Sequence, residues 1–147
     1  MAERQILEKI SNSEETTLQI GGEFAATISL EKEAFVALDG DLGAGKTAFV
    51  RGMAGVLCPG ARVCSPTYTV MRMYEGENCT LYHFDMYRIT SPEDLESVGF
   101  YDCVGIVAAE WCSNTPYALP DSYYRVTIEK LGENERRIVV SRVCKDE

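Results

Sequence analysis

The chain has 147 residues, of which 46% are hydrophobic and 25% charged, proportions that are ordinary for one globular domain spanning residues 1–147. Its 23 acidic and 14 basic residues give a net charge of −9, with no basic run in the sequence. Because a protein that holds nucleic acid on its own needs a basic face to neutralise phosphates, we do not expect strong direct binding of RNA or DNA.

The excess of acidic residues and the spacing of the cysteines limit the partners, sites and compartment that we expect for the protein. The negative charge either keeps the chain soluble or complements a basic protein partner. The six cysteines form no C-x-x-C pair, which argues against a zinc ribbon or a thioredoxin-like site. The N-terminus lacks the basic start and apolar run of a signal peptide, and no apolar stretch approaches the roughly 20 residues of a membrane-spanning helix. We therefore expect a cytoplasmic protein with no membrane partner, whose reduced, buried cysteines pack as small hydrophobic residues.

The first half of the chain predicts a helix, a buried strand and a second helix. Ser11 and Glu14 have the spacing of a capping box, and apolar residues then recur at helical intervals, which predicts a helix over about residues 13–31. Residues 34–38 are a continuous apolar run, typical of a buried parallel strand. A glycine-rich loop follows, and residues 46–57 carry apolar side chains at helical spacing up to a Cys-Pro-Gly segment that ends the helix.

The second half predicts mostly strands. The patterns indicate an extended stretch after Thr67 and through Tyr74, a strand over about 80–86, and a helix that begins at residues 91–94 and ends at Gly99. A buried strand over 104–109 and a hairpin of strands near 124–129 and 137–143 follow. Continuous apolar strands mixed with alternating strands and helices predict an α/β fold with a partly parallel, mixed sheet.

The glycine-rich loop carries the most specific motif. Residues 40–47, Gly-Asp-Leu-Gly-Ala-Gly-Lys-Thr, match the pattern G-x-x-x-x-G-K-[ST] between the predicted strand and helix. Glycines let successive backbone N–H groups point at phosphate oxygens, and the N-terminus of the next helix adds a positive field. Lys46 would place its charge on the β- and γ-phosphates, and Thr47 would offer a hydroxyl to Mg²⁺. The sequence thus predicts binding of ATP with Mg²⁺, with contacts from Asp41, Leu42, Gly43, Ala44, Gly45, Lys46, Thr47 and Ala48.

Two acids at strand ends are candidates for the Mg²⁺ site. Asp85 ends the strand that begins near residue 80, where alternation places it on the same face as His83. Glu110 follows the apolar strand 104–109, a position from which an acid can help to hold Mg²⁺ beside phosphates. For each acid the other reading is a cap or a surface ion pair. His83, the only histidine, could tune Asp85 or act as a base, but a lone histidine on a strand is more often a structural hydrogen-bond donor.

Residues 65–67 and Trp111 are each open to two interpretations. In Ser65-Pro66-Thr67, the threonine hydroxyl of a switch segment would sense the γ-phosphate, whereas a turn before a strand explains the tripeptide nearly as well. Trp111 either stacks on a base or a partner, or belongs to the core.

The residues also leave the class of function open. A small-molecule kinase is an alternative, although the basic residues after the loop are sparse and no arginine-rich lid segment follows. A third reading is a module that binds ATP only to change shape and associate, against which the candidate Asp85 argues mildly.

These segments together resemble the TsaE family, the small bacterial ATPases of tRNA threonylcarbamoyladenosine biosynthesis. The resemblance runs from about residue 5 to residue 142. It rests on the phosphate loop, on Ser-Pro-Thr-Tyr at 65–68, on Tyr-His-Phe-Asp-Met-Tyr-Arg at 82–88 and on Glu-Trp at 110–111. The phosphate loop alone indicates only a P-loop protein, and the last two segments narrow the resemblance to this family.

The resemblance implies a three-layer P-loop NTPase fold of the α/β class, with a mixed sheet flanked by helices and a C-terminal antiparallel hairpin. It implies Lys46, Asp85 and Glu110 as catalytic residues, Mg²⁺ held by Thr47 and Glu110, and further nucleotide contacts from Ser13, Thr17, Thr67, Asp85 and Arg136. Members of the family hydrolyse ATP weakly alone and act with TsaB and TsaD. They reset that complex between cycles, so the protein would meet tRNA only indirectly.

Overall fold

The computed structural model describes residues 2–41, 44–67, 70–77 and 79–145, with the side chains of residues 63–67 and 114 outside the description. The strands are β1 Ala2–Ser11, β2 Ala34–Asp39, β3 Arg62–Thr67, β4 Met71–Glu75, β5 Thr80–Asp85, β6 Ile106–Glu110, β7 Ser122–Lys130 and β8 Arg136–Cys144. The α-helices are α1 Glu14–Thr27, α2 Lys46–Leu57 and α3 Pro92–Ser97, and short 3₁₀ turns cover Met86–Arg88, Phe100–Asp102, Cys112–Asn114 and Pro116–Ala118. In this part of the chain no helix is long and apolar enough to span a membrane.

The strands form one mixed sheet in the order β1-β8-β7-β2-β6-β5-β4-β3. β2 runs parallel to both β6 and β7, and β5 runs parallel to β6, so the centre of the sheet is parallel. Both flanks are antiparallel, with β7, β8 and β1 on one side and β5, β4 and β3 on the other. The predicted α/β class, the partly parallel sheet and the C-terminal hairpin are confirmed.

Each face of the sheet buries its own hydrophobic cluster, which makes three layers. Val36, Leu38 and Ala108 point to the face that α1 and α2 cover. Phe35 and Ala109, one position along their strands, point to the opposite face, which α3 and the 3₁₀ turns cover. Burial on both faces explains why β2 and β6 are continuously apolar, since neither strand has a side that meets water.

The N-terminal segment differs from the prediction. Residues 2–11 form β1, which the sequence pattern did not indicate because this edge strand is mostly exposed and polar. Ser11 ends β1 and does not cap α1. The cap is Ser13, whose hydroxyl accepts a hydrogen bond from the backbone N–H of Thr16 at 3.0 Å. The helix ends at Thr27, short of residue 31. Ile28 is buried in the turn that follows, so it continued the helical spacing of apolar residues beyond the end of the helix.

Two other segments were predicted with different bounds. The extended stretch expected after Thr67 and through Tyr74 contains β4, and the sequence did not indicate β3, the antiparallel partner of β4. The strand expected over 104–109 begins two residues later, because Gly105 has a φ of +146° and the chain extends only after it.

Buried cysteines pack as the sequence led us to expect. Cys58 lies in the cluster beneath α1 and α2, and Cys112 lies in the cluster on the opposite face. Burial raises the pKa of both thiols to about 12, so both stay protonated at neutral pH. They therefore act as small hydrophobic side chains.

Helices α1 and α2 approach each other closely at glycines. A Cβ added to Gly21 would lie 2.1 Å from the carbonyl oxygen of Phe49. One added to Gly52 would lie 1.9 Å from the carbonyl oxygen of Leu18. Real Cβ atoms do not approach backbone oxygen so closely, so the glycines set the distance between the helices.

Substitution of Gly52 tests this contact, with Gly55 on the same helix as a matched control. Gly52→Ala should lower the free energy of unfolding by about 1–3 kcal/mol or more, because the helices must separate. Gly55→Ala places its Cβ in open space. It should raise the free energy of unfolding by about 0.5–1 kcal/mol through helix propensity. Urea unfolding measures both, and equal effects would contradict the close packing.

Candidate nucleotide-binding site

A cavity of about 400 Å³ opens where β2 ends and the chain turns into α2. This volume lies in the range of small-ligand pockets. The described residues that line it come from the start of α1, the phosphate loop and α2, the end of β6, and the β7–β8 turn: Ser13, Glu14, Thr17, Ala44, Gly45, Lys46, Thr47, Ala48, Arg51, Glu110, Glu133, Asn134 and Arg136.

The N-terminus of α2 is built to receive an anion. Gly45 precedes the helix with a φ of +112°, a left-handed conformation that favours glycine. Within the described residues, no side chain caps this helix end and no acid occupies its first turn. The first backbone N–H groups and the positive end of the helix dipole are therefore available to a phosphate.

Lys46 adds a buried positive charge at this helix end. The side chain is 5% exposed, and its Nζ donates a hydrogen bond of 2.6 Å to the carbonyl oxygen of Gly40. The same Nζ lies 3.8 Å from the centre of the Trp111 ring, a cation–π contact. Trp111 has a φ of +64°, a left-handed conformation that is strained for a bulky residue. In this conformation the indole lies between Lys46 and Tyr87, and the ring centres of Trp111 and Tyr87 are 5.3 Å apart.

Thr47, Glu110 and His83 form a chain of hydrogen bonds from α2 into the sheet. The Thr47 hydroxyl donates to Oε2 of Glu110 at 3.4 Å, and Nε2 of His83 lies 2.5 Å from the same oxygen. Glu110 and His83 are each 8% exposed. Burial acts to raise the pKa of Glu110, but the hydrogen bond from His83, together with the charges of His83 and Lys46, holds it below the ordinary value. Glu110 is thus an anion at neutral pH, and since a carboxylate only accepts, Nε2 of His83 carries the proton.

These groups fit a Mg²⁺ ion. Mg²⁺ prefers hard oxygen ligands and is usually held by one or two carboxylates beside phosphates. The Thr47 hydroxyl and the Glu110 carboxylate supply such oxygens from two elements that meet at the cavity.

Arg136 ties the C-terminal hairpin to the phosphate loop. Its Nε donates to the carbonyl oxygen of Ala44 at 3.0 Å, and its Nη1 donates to the carbonyl oxygen of Gly132 at 2.9 Å. The side chain thereby holds the β7–β8 turn against the cavity. Thr17, buried in the first turns of α1, hydrogen-bonds the hydroxyl of Ser11 at 2.7 Å and forms another part of the wall.

The structure brings together most of the residues that we proposed for the site. Nine of them line the cavity: Ser13, Thr17, Ala44, Gly45, Lys46, Thr47, Ala48, Glu110 and Arg136. Leu42, Gly43 and the Thr67 side chain lie outside the described residues. Asp41 is exposed and is not among the lining residues. The functional roles of all these residues remain predictions.

Asp85 also lies outside the described cavity wall. It is exposed, and its carboxylate accepts a hydrogen bond of 3.0 Å from the backbone N–H of Tyr87. In the sheet it is the direct neighbour of Glu110. The carboxylate therefore caps a 3₁₀ turn, as the second interpretation of this acid from the sequence has it. Its catalytic role remains a prediction.

Sequence reasoning missed four residues of the cavity wall: Glu14, Arg51, Glu133 and Asn134. Arg51 could have been found, because it lies four positions after Thr47 and so on the same face of α2. It pairs with Glu14 at 3.4 Å across the lip of the cavity. Glu133 and Asn134 reach the site only because the C-terminal hairpin folds back beside β2, and nothing local in the sequence signals that.

Comparison with known proteins gives consistent matches. The family model described as threonylcarbamoyl adenosine biosynthesis protein TsaE matches residues 11–138. Similar curated proteins, each described as tRNA threonylcarbamoyladenosine biosynthesis protein TsaE, include one from Rickettsia felis, 35% identical over 86% of this chain and 75% of its own length. Another, from Treponema pallidum, is 37% identical over 76% of this chain and 84% of its own length. A crystal structure of Bacillus subtilis YdiB superposes with a TM-score of 0.74 at 27% identity, covering 99% of this chain and 90% of that one.

Acid should weaken the fold in part through Glu110. The pKa of this carboxyl is lower in the folded chain than its ordinary value of 4.5. The ionised group therefore stabilises the fold fully above about pH 4.5, and that contribution is lost as the pH falls through the lower folded pKa. We expect the free energy of unfolding of Glu110→Gln to fall less between about pH 6 and pH 3 than that of the wild type. Urea unfolding at each pH measures the difference, and parallel curves would show that Glu110 does not contribute.

Proposed function

Because the chain belongs to the TsaE family of tRNA threonylcarbamoyladenosine biosynthesis proteins, we propose that it binds ATP with Mg²⁺ in the cavity at the start of α2 and hydrolyses it slowly. In this proposal the protein is an accessory ATPase that acts with TsaB and TsaD and resets their complex between cycles. It reaches tRNA only through that complex, in keeping with its net charge of −9.

One observation carries the nucleotide part of the proposal. Lys46, Thr47 and Glu110 meet at the N-terminus of α2, which among the described residues has no side-chain cap. A buried cation and free N–H groups suit phosphate, and the neighbouring hydroxyl and carboxylate suit Mg²⁺. The same cavity holds both sets of groups, as a Mg²⁺-bound nucleotide requires.

Each group then has a defined task. The N–H groups after Gly45 bind phosphate oxygens, and Lys46 binds the β- and γ-phosphates once its Nζ leaves the carbonyl of Gly40. Thr47 and Glu110 hold Mg²⁺, whose chemistry when bound is to neutralise charge on those phosphates. Arg136 keeps the phosphate loop and the hairpin turn together while the nucleotide occupies the cavity.

Steady-state ATP hydrolysis tests the proposal, with Lys46→Ala as the blank. The loss of a charge-assisted contact should lower ATP affinity about 10- to 100-fold. We expect slow hydrolysis by the wild type alone, a strong rise when a TsaB–TsaD pair is added, and no rise in the blank. Mg²⁺-ATP binding without stimulation by the pair would reject the partner role and leave the nucleotide site intact. Undiminished ATP binding by the blank would reject the site.

The role of Asp85 is testable with two variants that separate its charge from its cap. Asp85→Asn keeps an oxygen that can accept from the N–H of Tyr87, whereas Asp85→Ala removes both the cap and the charge. If the carboxylate serves hydrolysis, both variants should bind ATP but lose turnover. If Asp85→Asn turns over at the wild-type rate and only Asp85→Ala fails, the residue is a structural cap. Single-turnover hydrolysis with a binding control makes the comparison.

A further inference from the structure

His83 is the one histidine of the chain, and it is placed where it can act on the proposed Mg²⁺ site only through another residue. The side chain is 8% exposed and does not belong to the described lining of the cavity. Its Nε2 lies 2.5 Å from Oε2 of Glu110, which does line the cavity. The histidine thus touches the group that faces the ligand without facing the ligand itself.

The sheet fixes this contact. β5 and β6 run parallel with His83 opposite Ala108, so His83 and Glu110 project from the same face of neighbouring strands. Both hydrogen bonds that the described residues make to this carboxylate end on Oε2, one from His83 and one from Thr47. A glutamate side chain has three rotatable bonds, and the last of them is only weakly restrained by its own torsional preference. A donor held by a central strand therefore sets the orientation of the carboxylate.

We infer that His83 is a positioning residue for the metal site, which fixes Glu110 through Oε2 and leaves Oε1 to serve Mg²⁺ beside Thr47. The inference rests on the proposed function, since it concerns the Mg²⁺ of a bound nucleotide. It follows a general feature of metal sites, in which carboxylates that face the metal are themselves held by hydrogen bonds from residues behind them.

A purely structural role for His83 makes a different prediction. If the pair only stabilised the fold, replacing His83 would lower the free energy of unfolding without changing the Mg²⁺ dependence of nucleotide binding. If His83 positions Glu110, the Mg²⁺ dependence changes even in variants that remain folded. The two roles are therefore separable by binding measurements on folded protein.

Two variants with side chains of similar size differ in whether they can donate a hydrogen bond to Glu110. In His83→Gln, the amide Nε2 can donate to Glu110 from nearly the position of the imidazole Nε2. His83→Met has a chain of similar length and no donor. Both variants are uncharged, so a difference between them reports the hydrogen bond and not the charge of the histidine. His83→Asn is a second donor-deficient variant, because its shorter amide cannot reach Oε2, and it serves if His83→Met does not fold.

Calorimetric titration of ATP, in EDTA and over a series of MgCl₂ concentrations, measures the effect. We expect all folded variants to bind ATP in EDTA as the wild type does. His83→Met and His83→Asn should need about 10- to 100-fold more Mg²⁺ for the half-maximal gain in ATP affinity. His83→Gln should stay within about threefold of the wild type, since it keeps the donor. In a Glu110→Gln background, His83→Met should have no further effect, because the carboxylate through which His83 acts is already absent.

The outcomes separate the two proposals. If ATP affinity of the wild type does not respond to Mg²⁺ at all, the proposed function fails and the inference fails with it. If the wild type responds and His83→Met matches it, only the positioning role is overturned. The same holds if His83→Gln is as impaired as His83→Met, or if His83→Met still acts in the Glu110→Gln background. Thermal unfolding of every variant establishes which of them are folded at the temperature of the titration.

Discussion

The location of the site depends on the parallel register of the three central strands. Leu38 of β2 lies opposite Glu110 of β6, which in turn lies opposite Asp85 of β5. The carboxyl ends of these strands therefore meet at one edge of the sheet, where ligands bind in open α/β folds. A slip of β6 by one residue would turn Glu110 to the other face and present Ala109 beneath Thr47. Such a slip would separate Glu110 from Thr47 and His83 and turn its carboxylate toward the apolar cluster on the opposite face, which is costly, so the core protects the geometry of the site.

The close approach of α1 and α2 serves the site as well as the core. Because glycines bring the two helix backbones together, the first turns of α1 reach the phosphate loop: Thr17 lies within ordinary contact distance, 3.6 Å, of a Cβ built on Gly45. Ser13 and Thr17 of one helix then share a cavity wall with Lys46 and Thr47 of the other. The helix packing that holds the fold together therefore also brings the two sides of this cavity wall together.

Local patterns predicted much of this molecule, and the misses have physical reasons. The strand, loop and helix around the phosphate loop were predictable because burial on both faces of β2 and the motif itself leave clear signals. β1 left no such signal, since an exposed edge strand needs no alternating apolar residues and is specified by its partner β8. Glu133 and Asn134 were missed for a related reason: they come to the cavity through long-range pairing of strands. The contact between His83 and Glu110 was not predicted either, because strand periodicity gives the face of a side chain but not its partner on the next strand.

The place of β8 has a consequence for the order in which the chain can assemble during synthesis. Strand β1 is translated before the other described strands, yet it sits at the edge of the sheet beside β8, which is translated after them. Arg136, which closes the cavity against Ala44, is the first residue of that same late strand. On the ribosome, where the N-terminal part of a chain emerges first, the ten-residue strand β1 must wait until β8 has been translated before it finds its partner. The phosphate loop is translated well before Arg136, so its cavity is complete only after β8 has emerged.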